Sequence, residues 1–226
     1  HEQPQHTVEI AQDYWLARFP VTTGYFEKYL NATQQEHTWA REWKNKLDHP
    51  VVNVSWDAAM AFCAWLNRTC GQELPAGYTF RLPTEAEWEK AARGEHGFEW
   101  PWGEPFDPAR CNSAESNIGG TTPVGAYSPQ GDSPYGCADM VGNVWEWTLS
   151  LYKRYPYQKD DGREHPRDSG LRVARGDAAS RRPHPVDEVP AGVRDAWSRR
   201  RRFCASGRGR RSPNPGPRPF VCRQKR

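Results

Sequence analysis

The apolar positions of this chain change their period several times, and each change predicts an element. His6-Thr7-Val8-Glu9-Ile10 and Tyr14-Trp15-Leu16-Ala17-Arg18-Phe19 alternate in the manner of strands, which predicts an opening hairpin. In the run from Thr22 to Leu30 the spacing changes to that of a helix, with Phe26, Tyr29 and Leu30 on one face behind a capping threonine. A second helix is expected after Ser55, with Ala58, Ala59, Phe62, Cys63 and Leu66 along its buried stripe. A third begins after Thr84, where Glu87 three residues on completes a capping box. Between Gly94 and Met140 the chain is dense in Gly, Pro, Ser, Asn and Asp, too punctuated for long elements. A loop region of this length in a compact domain calls for a ligand, often a metal, to hold it. Alternation returns from Val144 to Thr148, a predicted core strand, and Trp88, Trp145 and Trp147 are expected as core rings.

Composition narrows the picture to one domain. With 226 residues the chain can bury one good core but not two ordinary ones. Its mean hydropathy of -0.95 is low, yet 11 Trp, 9 Tyr and 8 Phe supply an aromatic interior. The longest apolar stretches, such as Ala58 to Leu66, are far shorter than a membrane span of roughly 20 residues. Position 1 is His and no leader pattern comes after it, so the native start is expected upstream and localisation stays open. Charge is unevenly divided. From Leu171 onward there are 16 Lys/Arg and 4 Asp/Glu; subtraction from 31 and 28 leaves 15 and 24 before it. The body is therefore close to -9 and the tail close to +12.

Two strings carry chemistry beyond propensity: Phe80-Arg81-Leu82-Pro83-Thr84-Glu85-Ala86-Glu87-Trp88-Glu89-Lys90-Ala91-Ala92-Arg93-Gly94 and Met140-Val141-Gly142-Asn143-Val144-Trp145-Glu146-Trp147-Thr148. With Phe19-Pro20-Val21-Thr22, His49 to Trp56, Pro101-Trp102-Gly103 and Gly120 to Val124 in the same order, residues 6 to 152 resemble the formylglycine-generating enzyme (sulfatase-modifying factor) family. The resemblance implies an α+β, C-type lectin-like fold with a small twisted antiparallel sheet, two or three helices and much irregular structure. It also implies calcium on the turn formed by Val141, Gly142, Val144 and Glu146, where hard oxygens suit the ion. A second, weaker calcium site is implied near Asn112 and Ser113, with Ser116 standing where the family has a carboxylate. The alternative is that Asn143 and Glu146 only satisfy buried backbone groups.

The same resemblance raises the question of catalysis. Oxidases of the family hold copper on two cysteines about five residues apart, just after an Arg-Gly-Gly-Ser-type strand, because Cu(I) takes thiolates. Here Arg172-Val173-Ala174-Arg175-Gly176 is succeeded by Asp177-Ala178-Ala179-Ser180-Arg181-Arg182-Pro183-His184, with no cysteine. Cys204 and Cys222 stand about 18 apart and are read either as a disulfide or as two buried thiols. The seven histidines are scattered, so neither copper nor iron is expected.

Between Leu171 and Cys222 there is no Lys, Gln or Met and only one Glu. Randomising the first two bases of Asn codons yields Asp, His, Ser, Gly, Arg, Cys, Ala, Pro and Val, and never Lys, Gln, Glu, Met or Trp. Such adenine-directed change marks the variable proteins of diversity-generating retroelements, and the chain resembles one of them. The expectation is a single domain over 1–226, with 1–170 as scaffold and 171–222 as a variable ligand-binding region. Its implied contact residues are Asp177, Ser180, Arg181, Arg182 and His184; then Ser198, Arg199, Arg200, Arg201 and Arg202; then Ser206, Arg208, Arg210, Arg211, Ser212, Asn214, Gly216 and Arg218. Val173, Trp197, Phe203, Phe220 and Val221 are expected to point inward. The implied partner is a protein or other macromolecule, bound with no catalytic role, and the protein itself is expected to be soluble and displayed on a cell or virion surface. Three readings compete: an oxidase or its inactive relative, a GC-rich gene that favours Arg, and nucleic-acid binding by the Arg clusters. GC bias fits poorly beside a body rich in Glu, and nucleic acid is disfavoured by clusters without interleaved Lys.

Overall fold

The computed structural model describes residues 6–36, 45–158, 160–176 and 222–224. Strand β1 (Tyr14–Leu16) pairs antiparallel with β4 (Cys222–Gln224), in the register Tyr14 with Gln224 and Leu16 with Cys222. The opening hairpin is thus not formed: Tyr14–Leu16 takes its partner from the far end of the sequence rather than from 6–10. A second antiparallel pair joins β2 (Trp145–Leu151) to β3 (Arg172–Gly176), so the predicted small sheet is built as two two-stranded ladders.

The three predicted helices form with the predicted caps. Helix α1 (Thr23–Thr33) begins at Thr22, whose side chain accepts from the Tyr25 amide, and buries Phe26, Tyr29 and Leu30. Ser55 caps α2 (Trp56–Cys70) through the Ala58 amide. Thr84 and Glu87 make the full capping box of α3 (Glu85–Arg93). On α2 only Phe62 of the expected stripe is fully buried; Ala58, Ala59, Cys63 and Leu66 remain half-buried because α1 covers just one edge of the helix. Cys63 and Cys70 both stand on this helix as free thiols.

Interior packing is divided. Phe26, Tyr29, Leu30 and Phe62 form one aromatic cluster between α1 and α2, with ring centroids 5.3–5.6 Å apart among the three rings. Trp88, Ala91 and Ala92 of α3 pack on Cys137 and Met140, with Leu16 and Tyr135 against them. The stretch from Gly94 to Met140 contains only two short 3-10 turns, as its composition predicts. Its loops are held by buried side chains, among them Trp100, Cys111 and Val141.

Candidate functional site

Two features could bear function: the turn from Val141 to Glu146, and the frame from which the arginine-rich segment departs. The turn is fixed first by glycine. Gly142 has φ +84°, and a Cβ there would lie 2.4 Å from the Asn112 carbonyl oxygen, so any side chain would push the two loops apart. That closeness is used, because the Asn143 amide donates to the same carbonyl at 2.8 Å. Asn143 then clamps Thr122, accepting from its amide through Oδ1 (3.0 Å) and donating Nδ2 to its carbonyl (3.2 Å). For Asn143 the role seen is therefore that of a loop clamp.

Glu146 is different. Its carboxylate accepts one hydrogen bond, from the Trp88 indole N–H at 3.1 Å. Burial pushes its pKa up to about 7; the Trp88 bond partly offsets this, and the nearby Asp139 carboxylate adds to the rise. Asp139 is itself buried and raised by desolvation, although it accepts the Gly125 amide at 2.6 Å. Neither carboxylate has a basic side chain within ion-pair distance among the described residues. Two interacting carboxylates thus flank the turn of Val141, Gly142 and Val144, in which the Gly142 carbonyl accepts the Val144 amide at 2.8 Å; carboxylate oxygens are the hard donors that a calcium site would need. Asp139 carries no mark in the sequence; an acidic residue seven positions before another is no signal until the turn brings them together.

The second implied calcium site fits less well. Asn112 is buried, donating Nδ2 to the Gly120 carbonyl at 2.8 Å, and Ser116 donates its hydroxyl to the Ser113 carbonyl at 2.6 Å. The Ser113 hydroxyl is buried without a partner among the described residues. A hydroxyl in place of a carboxylate brings no charge to hold a divalent ion.

The frame of the arginine-rich segment is built by β3 and β4. Of the expected contact residues, Asp177, Ser180, Arg181, Arg182, His184, Ser198 to Arg202, Ser206, Arg208, Arg210, Arg211, Ser212, Asn214, Gly216 and Arg218 lie outside the described residues, as do Trp197, Cys204, Phe203, Phe220 and Val221. The segment's two neighbours in sequence are described: Gly176 ends β3, and Cys222 begins β4. Val173 is buried, as expected. Trp88 is a core ring at 2% exposure and Trp147 is half-buried, donating its indole N–H to the Val54 carbonyl. Trp145 is not a core ring. It is 37% exposed, standing opposite Gly176 in the ladder, where the partner strand has no side chain to cover it. The sequence could not reveal this, since both Trp145 and Trp147 sit in a strand pattern that leaves the covered face open.

Comparison with known proteins places this geometry in a family. A family model described as "Sulfatase-modifying factor enzyme 1-like domain" matches residues 1–204. The chain is 46% identical over 121 residues to the Inactive C-alpha-formylglycine-generating enzyme 2 of Bos taurus, covering 49% of this chain and 36% of that protein. It is 40% identical over 116 residues to the Formylglycine-generating enzyme of Thermomonospora curvata, covering 44% and 33%. The match thus spans about a third of each relative's length. Among solved structures, Treponema denticola variable protein 1 shares the fold with a TM-score of 0.56 at 22% identity, over 79% of this chain and 77% of that one.

Proposed function

From the membership of this chain in the sulfatase-modifying factor family, with its α+β C-type lectin-like fold, we propose that it is a binding member and not an oxidase: a fixed scaffold presenting residues 177–218 to a macromolecular ligand, in the manner of diversity-generating retroelement variable proteins. The observation that carries this reading is the sequence immediately after β3. Where the oxidases of the family place their copper thiolates, the chain continues from Gly176 as Asp177 to His184 without a cysteine. Two likenesses support it. One relative is named an inactive formylglycine-generating enzyme, and the structural neighbour is named a variable protein. The composition of the segment, free of Lys, Gln and Met, agrees with diversification at Asn codons.

On this reading the scaffold binds calcium through Glu146 with the Val141, Gly142 and Val144 carbonyls, Asp139 adding a second carboxylate nearby, and the ion serves to hold the loops. Asn112 is at most part of a weak second site. The ligand is a protein or other macromolecule met at a cell or virion surface. The density of Arg at 181–182, 199–202 and 208–211 favours an acidic face on it. The competing reading, a formylglycine-generating oxidase, is favoured by the 40% identity to the Thermomonospora curvata enzyme. Incubation with Cu(I), oxygen and a cysteine-containing sulfatase peptide decides between them. The binding reading expects no aldehyde by mass spectrometry; aldehyde formation abolished by Cys204→Ala would establish the oxidase. Sequencing the neighbouring DNA tests the retroelement itself, with a reverse transcriptase and an Asn-rich template repeat as the expected finding.

A further inference from the structure

Strand β3 is short, and its ladder with β2 is interrupted. Trp145, Glu146 and Trp147 face Gly176, Arg175 and Ala174 in step, but the register shifts before Leu151 meets Arg172. A ladder of five residues with an irregularity in it does not by its own hydrogen bonds forbid a slip, and a slip of one residue would turn every side chain to the other face. Something else must hold the end of β3 in place.

That end carries Arg175, which is 5% exposed and reaches from the strand to helix α3. Its Nη2 lies 3.3 Å from a Glu85 carboxylate oxygen and forms a closer ion pair with Glu89. Glu89 also receives Arg93 at 2.5 Å, and the Tyr155 hydroxyl donates to Glu85 at 3.0 Å. Among the described residues, Glu85 and Glu89 thus face the guanidinium groups of Arg175 and Arg93, with little water around them. Breaking such a set leaves a buried charge unpaired, so the arginine is strongly held in one position. The next residue, Gly176, has φ +98°, and a Cβ there would stand 2.7 Å from the Val144 carbonyl oxygen, which fixes the strand's last residue against the turn.

We propose that Arg175 is a positioning residue that locks the register of β3, so that the chain leaves the scaffold at Gly176 at one fixed place. The inference deepens the binding reading above, since a surface that changes its side chains needs a constant origin. Its geometry stands without that reading. Arg175 Nη2 alone meets both carboxylates, which stand one helical turn apart on α3, and a buried charge-assisted contact of this kind is directional in a way that an apolar contact is not.

Native-state amide hydrogen exchange on the full chain tests it, with Arg175→Lys and Glu89→Gln as variants. Lysine keeps the charge but replaces the planar guanidinium by a single ammonium on a different stem, and the Glu89 variant keeps Arg175 while removing the charge of its closer partner. Both are expected to raise exchange at Trp145, Arg175 and Gly176 at least tenfold, while Arg172 at the other end of the ladder, and Leu149 and Leu151, whose amides donate to the Pro83 and Arg163 carbonyls, keep their wild-type rates. A uniform rise along β2 and β3 would make Arg175 a general stabiliser and overturn the proposal; so would unchanged rates in both variants. Should Arg175→Lys fail to fold, Glu89→Gln gives the answer alone. The copper assay for the oxidase can fail or succeed independently of either result.

Discussion

The two sides of this molecule are held by different physics. Between α1 and α2 the contacts are rings on rings, Phe26, Tyr29, Phe62 and Trp65, where attraction comes from buried area and depends weakly on angle. Between α3 and the β2–β3 ladder the contacts are largely polar: Arg175 with Glu85 and Glu89, the Ser150 hydroxyl accepting from the Glu85 amide, and Trp88 donating to Glu146. Directional contacts specify orientation, and they sit on the side from which the arginine-rich segment departs. The difference separates two tasks, bulk stability on one side and placement on the other.

The sharpest way to break that comparison is to cut into the aromatic side. Phe62→Ala is expected to lower stability by about 3 to 5 kcal/mol, as for large rings removed from a core. Chemical denaturation measures it, and a loss under about 1 kcal/mol would mean the cluster is loosely packed. Next in size is calcium at the polar side. At a free concentration 100 times its dissociation constant, one bound ion adds about 2.7 kcal/mol. Chelation should lower the melting temperature of the wild type and leave Glu146→Gln unmoved, whereas an identical response of the two proteins would show that the turn is held by hydrogen bonds alone.

A smaller effect tests the polar side by pH. Burial would raise the Glu87 carboxyl, but its two-pronged pair with Arg81, both bonds 2.7 Å, outweighs this and holds it below the usual range. A carboxyl depressed in the folded state stabilises above its unfolded pKa and loses that stabilisation as pH falls through the folded value. Arg81 is 41% exposed, so screening keeps the pair's worth to about 1 kcal/mol or less. The stability gap between wild type and Glu87→Gln should therefore be constant from roughly pH 6 to 8 and close below roughly pH 4. Melting curves across that range check it; a gap that widens in acid would reverse the assignment. The smallest expected change comes from replacing Arg199 to Arg202 or Arg208, Arg210 and Arg211 by Ser, within roughly 0.5 kcal/mol per site for surface positions. Large losses in a thermal-melt panel of these variants would make the arginines structural.

The features legible in the sequence are those that depend on neighbours along the chain. Thr22, Ser55 and Thr84 are legible as caps because a cap and its amide lie within three residues. The failure of the opening hairpin has the opposite cause: Tyr14–Leu16 looks equally ready for any strand partner, and its choice of Cys222–Gln224 is a tertiary fact. Trp145 departs from expectation for a related reason, since its cross-strand neighbour Gly176, which has no side chain to cover it, is also a tertiary fact. The turn itself is legible through Gly142, whereas the approach of Asp139 to Glu146 and the contact of Arg175 with Glu85 and Glu89 emerge only when α3, the turn and β3 are seen together.

The pairing of β1 with β4 has a consequence for how the protein is made. Residues 14–16 leave the ribosome some two hundred residues before 222–224, so the first strand waits, with its hydrogen-bonding edge open, for nearly the whole of translation. A stop codon or frameshift anywhere in 177–221 would deny it its partner. Only chains whose reading frame survives through that stretch can complete the β1–β4 pair, and the others are left with an exposed strand for proteases and chaperones to recognise.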